Sequence, residues 1–187
     1  KSLKIEHDSF LIGSVGRFNY YKNYKNFILA AKSLLSQNSN VYFVLAGKDL
    51  DYSNKELCGW IDSSDLHSHF RLLGSKFDIP RLMTSLDIFC LTSLSEGFPN
   101  VLAEAMSSGL ACISTDVGDV RSILPNEKCI VPVDDISLLT SSLLEMINHS
   151  ELSGQLGIEN RQHIQSEYSI SGMVRKYENL YLEVLHE

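Results

Sequence analysis

The sequence predicts an α/β fold, a doubly wound, Rossmann-like parallel sheet of about six strands with helices on both faces. Short runs rich in β-branched and aromatic residues alternate with longer stretches of helical periodicity. The short runs are apolar throughout rather than alternately polar, which is typical of parallel strands covered on both faces. No internal repeat is visible, and 187 residues with 44% hydrophobic content suffice for one core.

The elements follow one another in a regular order. The predicted strands are residues 10–15, 41–47, 70–74, 88–93, 111–115 and 129–133. The predicted helices are residues 24–37, 54–63, 78–86, 99–108, 119–124, 136–148, 151–167 and 170–186. No linker-like stretch interrupts them, so residues 1–187 are predicted to form a single domain. The helices within 150–187 have no strand after them, so we expect them to pack outside the sheet or to reach toward a part of the protein beyond this chain.

Charge and composition exclude several classes of protein. The formal net charge is −7 and no basic stripe is visible, which argues against a nucleic-acid partner. No apolar run approaches the ~18 to 20 residues of a membrane-spanning helix, and the start has no signal-peptide core, so a cytoplasmic location without a transmembrane segment is expected. The four cysteines lack metal-ligand spacing and are expected to be reduced rather than paired in disulfides; Cys90, Cys112 and Cys129 fall in or beside apolar strands.

The segment SEGFPNVLAEA, residues 95–105, places carboxylates on either side of a predicted helix start. Pro99 suits the first turn of a helix, which would leave the amides of Asn100, Val101 and Leu102 without helical acceptors. Such a helix start attracts phosphate, and Gly97 allows a ligand to approach the backbone closely.

The two carboxylates belong to Glu96, on the loop, and Glu104, inside the helix. Helical side chains lean toward the N-terminus, so Glu104 can reach the same ligand as Glu96. Because carboxylates accept hydrogen bonds from hydroxyls, an anion site flanked by both suggests a ligand with phosphate and sugar. The alternative is a solvated loop residue at Glu96 and a plain surface position at Glu104.

A diphosphate next to two carboxylates also needs cations, and the loop after the first strand offers them. Arg17 can hold phosphate oxygens in a fork and Lys22 supplies a compact charge, while Gly16 lets the backbone bend near the site. Lys22 could instead be solvated, as lysines at helix starts often are. No metal site is predicted: the D-x-D match at Asp49 and Asp51 fits a solvated turn better, and the six histidines show no metal or triad spacing.

Two segments carry a resemblance to a known family. VGRFNYYKN resembles the V-G-R-x4-K-[NG] segment of retaining GT-B glycosyltransferases, the "glycosyl transferases group 1" family, and EGFPNVLAE is similar to its E-x7-E motif. VYFVLAG, FRLLGSKFDIPRLMTSLDIFCLTS and ACISTDVGDVRSIL match in the family's order. The resemblance covers nearly everything from Phe10 to about Asp135. It implies the donor-binding, C-terminal half of a two-domain hexosyltransferase-type enzyme of polysaccharide biosynthesis.

The resemblance also implies a role for each matching residue. Arg17 and Lys22 would hold the diphosphate of a UDP- or GDP-sugar donor, and Glu96 would contact the hydroxyls of the transferred sugar. Backbone amides of the helix start would assist, Glu104 would bind the ribose, and the loop after the third strand would meet the base through its backbone. The residues so implied to bind the donor are Gly16, Gly74, Ser75, Lys76, Gly97, Phe98, Asn100, Val101, Leu102 and Glu104.

The implied reaction requires no metal or other cofactor and takes a glycan or lipid-linked acceptor, bound by an N-terminal domain that this chain lacks. The full-length enzyme could lie at the inner face of a membrane, and the fragment is expected to be inactive alone. One segment departs from the family: GDVRS, with Asp119, Arg121 and Ser122, stands where G-G-x-P-E is common. This departure leaves the sugar and its orientation open.

Two other functions remain open at this point. A glycoside hydrolase could use Glu96 and Glu104 as its acid and base. A non-catalytic domain could retain the fold and bind a nucleotide sugar without transferring it.

Overall fold

The computed structural model describes residues 5–6, 8–75 and 78–185. Six strands form one parallel sheet: β1 (Phe10–Val15), β2 (Val41–Ala46), β3 (Phe70–Leu72), β4 (Ile88–Leu91), β5 (Ala111–Thr115) and β6 (Ile130–Val131). Their order across the sheet is β3-β2-β1-β4-β5-β6. Helices cover both faces, so the predicted Rossmann-like fold class is confirmed.

Within these described ranges, eight α-helices occur where helical periodicity predicts them, with ends that differ by a few residues. They are α1 (Tyr24–Leu35), α2 (Lys55–Ser63), α3 (Ile79–Met83), α4 (Asn100–Ser107), α5 (Val120–Ile123), α6 (Ile136–Asn148), α7 (Ser150–Glu167) and α8 (Ile170–Leu185). Side-chain caps mark several of their starts, since Asn54, Asp78 and Asp135 each accept a hydrogen bond from an amide in the first turn.

The core lies between the sheet and its two helical layers. Strands β4 and β5 are buried at every position, as expected of central parallel strands. Tyr24, Phe27, Phe43 and Phe70 are among the fully or almost fully buried side chains. Strand β4 ends at Leu91 rather than at the predicted residue 93, because the next residues turn away to bind the loop after β1.

The last two helices differ in how they contact the sheet layer. Helix α7 packs against α4 and β5, where a side chain at Gly157 would lie 2.1 Å from the carbonyl oxygen of Gly109. The buried Asn160 amide donates to the carbonyl of Leu110 at 2.9 Å. Helix α8 exposes most of its apolar side chains, including Ile170, Tyr181 and Leu185.

Candidate functional site

The strand order reverses between β1 and β4, and the loops that follow these two strands meet at the carboxyl edge of the sheet. The loop after β1 contains a short 3-10 helix, Tyr20–Lys22, which the side chain of Asn19 caps by accepting from the Lys22 amide at 3.0 Å. Hydrogen bonds join the loop after β4 to this helix. The Leu94 amide donates to the carbonyl of Tyr21 at 2.7 Å, and the Thr92 hydroxyl donates to the carbonyl of Lys22 at 3.2 Å. The position of Lys22 is therefore fixed through its backbone.

Lys22 and Glu96 form the centre of the site. The Lys22 Nζ donates to Glu96 Oε1 at 2.6 Å, and the side chains are 20% and 14% exposed. Ser93, which is fully buried, donates its hydroxyl to the same Oε1 at 2.6 Å. Glu96 Oε2 has no hydrogen-bond partner within the described residues, and neither do the two other protons of the Lys22 ammonium. The pair is held from one side and keeps free bonding capacity on the other.

Arg17 and Gly16 lie at the start of the same loop. The Arg17 side chain is exposed, and no ion pair or hydrogen bond joins it to another residue in the described ranges. Gly16 is closely packed: a Cβ there would lie 2.8 Å from the Tyr24 hydroxyl and 3.4 Å from Lys22 Cε. Burial, reinforced by the nearby charge of Glu96, raises the pKa of Tyr24 well above its ordinary value. Glycine at position 16 thus leaves space for the side chains of Tyr24 and Lys22.

The start of α4 differs from the predicted one. The helix begins at Asn100 with Pro99 in the capping position, one residue later than expected. The Asn100 amide donates to the carbonyl of Phe98 and the Leu102 amide to that of Pro99, both at 2.9 Å. The expectation of three free amides was therefore wrong for two of them, because the tight turn supplies its own acceptors. Within the described part of the chain, the amides of Val101, Gly97 and Phe98 have no acceptor.

Two glycines lie near Glu96, and packing explains only one of them. A Cβ at Gly97 would meet nothing within 4 Å, so packing within the described residues does not require glycine there. At Gly118, which has a φ of +51°, a Cβ would lie 2.2 Å from the carbonyl oxygen of Glu96 and 2.3 Å from that of Gly97. The loop after β5 therefore rests directly on the backbone of the Glu96 loop, and the Asp119 amide donates to the Gly97 carbonyl at 3.0 Å.

The segment that departs from the family lies against the site through its backbone. Arg121 pairs with Asp116 at 2.6 Å on the surface, and the Ser122 carbonyl accepts from the Tyr168 hydroxyl at 2.8 Å. The Tyr168 ring in turn lies 5.6 Å from the ring of Phe98. Sequence reasoning missed Ser93, Gly118 and Tyr168. Only Ser93 gave a signal, since it is a polar residue at a strand end three positions before Glu96.

Glu104 occupies a different environment. It is exposed, has no partner within the described residues, and lines a cavity of about 470 Å³ together with Ile79, Pro80 and Met83 from α3. In the neighbouring loop after β3, the Gly74 amide donates to Leu50 and its carbonyl accepts from Gly47, both at 2.8 Å. Ser75 is exposed. Lys76 lies outside the described residues.

The remaining candidate residues have structural roles. All four cysteines are free thiols, and burial raises the pKa of Cys129 to about 11 and the pKa values of Cys90 and Cys112 further. Asp51 accepts from the Ser53 amide, so the second acid of the D-x-D match stabilises a turn. Among the residues that the structure describes, no group of three or more His, Cys, Asp or Glu side chains could hold a metal ion. Likewise, no helix in the described ranges is both long and apolar enough to span a membrane.

Comparison with known proteins adds to this geometry. A protein of Escherichia coli named UDP-Gal:alpha-D-GlcNAc-diphosphoundecaprenol alpha-1,3-galactosyltransferase is 29% identical over 189 residues, which cover 99% of this chain and 48% of that protein. Anabaena HepE, in a structure in complex with UDP and glucose, superposes with a TM-score of 0.84 at 20% identity over 94% of this chain and 49% of that one. The chain thus spans about half the length of these relatives.

A third structure matches this chain over most of both lengths. It is the C-terminal domain of the glycosyl transferase group 1 family protein LpcC from Francisella tularensis, with a TM-score of 0.74 and 25% identity over 86% of this chain and 87% of that one. The structural neighbours are GT-B glycosyltransferases. The Escherichia coli protein is named as a galactosyltransferase and LpcC as a glycosyl transferase. The family model described as "Glycosyl transferases group 1" matches residues 1–163, and the chain therefore belongs to that family.

Proposed function

We propose that this chain is the donor-binding, C-terminal half of an enzyme that transfers a hexose from a nucleotide-diphosphate sugar to a glycan or lipid-linked acceptor. The observation that carries the proposal is the Lys22–Glu96 pair, 2.6 Å apart and less than one quarter exposed, at the point where the strand order of the sheet reverses. Open α/β sheets bind their ligands at such points. A cation and a carboxylate fixed side by side suit a ligand in which a phosphate adjoins a sugar.

The free atoms of the pair support separate roles for its two members. Oε1 of Glu96 is occupied by Lys22 and Ser93, which leaves Oε2 to accept a hydrogen bond from a sugar hydroxyl. The Lys22 ammonium donates one proton to Glu96 and has two more for phosphate oxygens. The pair therefore does not have to open when the donor binds.

Two further kinds of hydrogen-bond donor complete the proposed donor site. Arg17, exposed and unpaired among the described residues, adds a forked donor for the diphosphate. Three backbone amides without an acceptor supply neutral donors: those of Gly97, Phe98 and Val101. The amides of Asn100 and Leu102 already donate to carbonyls, so they could reach a ligand only through a bifurcated hydrogen bond. The open space above Gly97 supports close approach of a ligand to this backbone.

The nucleoside is assigned to the side of Glu104. This carboxylate lines a cavity of about 470 Å³ between α3 and α4, and ribose hydroxyls are donors that an unpaired carboxylate accepts. The base would extend toward Ser75. Among nucleotides we propose uridine diphosphate, because the Escherichia coli relative is named for UDP-Gal and HepE was solved with UDP.

The arrangement supports chemistry at the anomeric carbon. As the bond from that carbon to the diphosphate breaks, negative charge grows on the leaving phosphate beside Lys22 and Arg17. Lys22, which the fold holds in place, and the backbone amides stabilise that charge without reorganisation, an effect worth about 3 kcal/mol for one well-placed donor. We propose retention of the anomeric configuration: an acceptor hydroxyl oxygen forms its bond to the anomeric carbon on the face that the leaving phosphate vacates, and this phosphate takes the hydroxyl proton.

The acceptor site belongs to the part of the protein outside this chain. Relatives such as the galactosyltransferase are about twice as long, and the matching LpcC domain is itself a C-terminal domain. A lipid-linked acceptor would bring the enzyme to the inner face of a membrane. We therefore expect the 187-residue chain to bind the donor without transferring its sugar.

Calorimetric titration of the chain with UDP, GDP and ADP tests the donor site. UDP should bind most tightly, Lys22→Ala should weaken it about tenfold or more, and the exposed-lysine control Lys32→Ala should leave it unchanged. Failure of all three nucleotides to bind would refute the proposal.

Turnover of a UDP-sugar panel by the full-length protein then separates an enzyme from a non-catalytic binding domain of the same fold. If the protein is an enzyme, it should transfer the sugar, and Glu96→Ala should abolish that transfer. If it is a non-catalytic binding domain, it should bind the nucleotide and transfer no sugar.

A further inference from the structure

Residues of the loop that carries Lys22 also line a second cavity. Its volume is about 260 Å³, and its wall includes four aromatic residues: Phe18, Tyr20, Tyr24 and Trp60. We call it the aromatic cavity. Tyr20 belongs to the same 3-10 helix as Lys22, so the aromatic cavity and the proposed donor site share one rigid segment.

Three of the aromatic side chains, Phe18, Tyr24 and Trp60, contact one another. The ring of Phe18 stacks on that of Tyr24 at 6.3 Å with planes 13° apart, and it contacts the ring of Trp60 at 5.5 Å. Tyr24 is buried and anchors this wall to the core, whereas Tyr20 is 79% exposed at the rim. A rigid wall of this kind offers flat apolar surface at low entropic cost.

Two carboxamides in the cavity wall are already oriented. The Asn19 oxygen accepts from the Lys22 amide, which leaves the NH₂ group of Asn19 free. The Asn23 nitrogen donates to Asp134, which leaves the oxygen of Asn23 free. Asn19 thus keeps a free donor and Asn23 a free acceptor, and both residues line the aromatic cavity.

The charges in the wall balance. Glu56 from α2 and Lys25 from α1 both line the cavity, both are exposed, and neither forms an ion pair with any described residue. With one charge of each sign, the cavity has no excess of positive charge to attract a phosphate. Its surface suits an uncharged ligand that is rich in hydrogen-bonding groups.

We propose that the aromatic cavity binds a neutral sugar ring. A pyranose presents apolar C–H faces that stack on aromatic rings, and its hydroxyls both donate and accept, which matches the Asn19, Asn23 and Glu56 groups. The volume suits one ring rather than a nucleotide. The origin of the sugar, a unit of the acceptor glycan, rests on the proposed function; the sugar-binding chemistry of the cavity does not.

The single tryptophan of the chain makes the test specific. Trp60 lines the aromatic cavity, so the fluorescence of the 187-residue chain reports events there. We expect a saturable change on titration with methyl glycosides of glucose, galactose and N-acetylglucosamine, or with disaccharides of these sugars, at concentrations of about 1 mM or above. Tighter binding of a disaccharide than of the monosaccharides would mark an oligomeric glycan as the source.

Paired variants locate the binding. Tyr20→Ala and Glu56→Ala, both at exposed positions, should weaken binding about tenfold, whereas Tyr177→Ala and Glu178→Ala on α8 should not change it. No saturable change with any of these sugars would overturn the inference, and so would an equal affinity in the Tyr20 and Glu56 variants. A response to uridine as strong as to the sugars would also overturn it, since the cavity would then be a base pocket.

A parallel calorimetric titration with UDP separates this inference from the proposed function. UDP binding without any sugar response overturns the inference alone. Sugar binding without UDP binding overturns only the donor-site proposal.

Discussion

The two carboxylates of EGFPNVLAE lie in contrasting surroundings although only eight positions separate them. Glu96 is 14% exposed and is held by Lys22 and by the buried Ser93. Glu104 is exposed on α4 and has no partner in the described part of the chain. The first carboxylate is oriented by the protein itself, whereas the second is free to be oriented by a ligand.

The two glutamates of this motif therefore contribute differently to stability and to ligand binding. Removing Glu96 disturbs an internal network as well as a proposed ligand contact, because it leaves the largely buried Lys22 side chain without its partner. Removing Glu104 disturbs only the ligand contact. Substitutions at the two positions should therefore differ in how they divide their effects between stability and binding.

The largest effect is expected from Glu96→Gln. Turnover of the UDP-sugar by the full-length protein should fall about 100-fold or more, since the hydrogen bond to the sugar and the charge beside Lys22 are both altered. Urea denaturation of the variant should show a loss of about 1 kcal/mol in the free energy of unfolding. Unchanged stability would mean that the Lys22–Glu96 contact contributes nothing to the fold, and the contrast with Glu104 would fail.

The two glycines near Glu96 sharpen the comparison. Gly118→Ala should destabilise the chain by about 2 kcal/mol or more, because its Cβ would overlap the carbonyl oxygens of Glu96 and Gly97 in a backbone with φ of +51°. Gly97→Ala should leave stability within about 0.5 kcal/mol and weaken UDP-sugar binding about tenfold. Thermal unfolding and calorimetry measure the two quantities. Equal loss of stability in both variants would contradict the proposed ligand-based reason for Gly97.

Glu104→Gln should affect binding alone. Loss of one charged hydrogen bond to the ribose should weaken UDP about tenfold, and the unfolding curve should match that of the parent chain. Glu145→Gln, on α6, provides a control that should alter neither. If Glu104→Gln bound UDP normally, the nucleoside would have to be reassigned to another part of the surface.

The smallest effect concerns alkaline stability. Because burial raises the pKa of Tyr24, the folded state keeps this proton at a pH where the unfolded chain, with a tyrosine pKa of about 10, releases it. The stabilisation is complete below about pH 10 and declines above it, by at most about 1.4 kcal/mol per pH unit for this group. Tyr24→Phe should make the decline shallower than in the parent chain. Tyr177→Phe, at an exposed position, should not, and an identical slope in both variants would contradict the assignment.

Patterns local in the chain were sufficient for the fold. Uniformly apolar strands, helical periodicity and capping residues such as Asn54 and Asp135 indicated the six strands and eight helices, and the comparisons confirmed the fold class and the family. Strand ends were less predictable. The predicted fourth strand included residues 92 and 93, but Thr92 and Ser93 leave the sheet and bind the neighbouring loop and Glu96.

The candidate site was predictable in its residue types and not in its contacts. That Arg17, Lys22, Glu96 and Glu104 serve one ligand remains a prediction. The expectation of three free amides at the start of α4 was wrong because hydrogen bonding within a tight turn depends on coordinates, not on residue type. Gly118 and Tyr168 were missed because they contact the site from loops and helices distant in sequence.

The sequence alone therefore determined the layers of the fold, the class of ligand to expect and the residues able to meet it, because periodicity and side-chain chemistry are properties of the chain itself. Only the tertiary structure decided that Lys22 contacts Glu96 while Glu104 stays free. It also decided that Phe18, Tyr20 and Trp60 line one cavity. The physical reason is that such contacts join residues from separate elements, and their distances depend on how every strand and helix packs in the shared core.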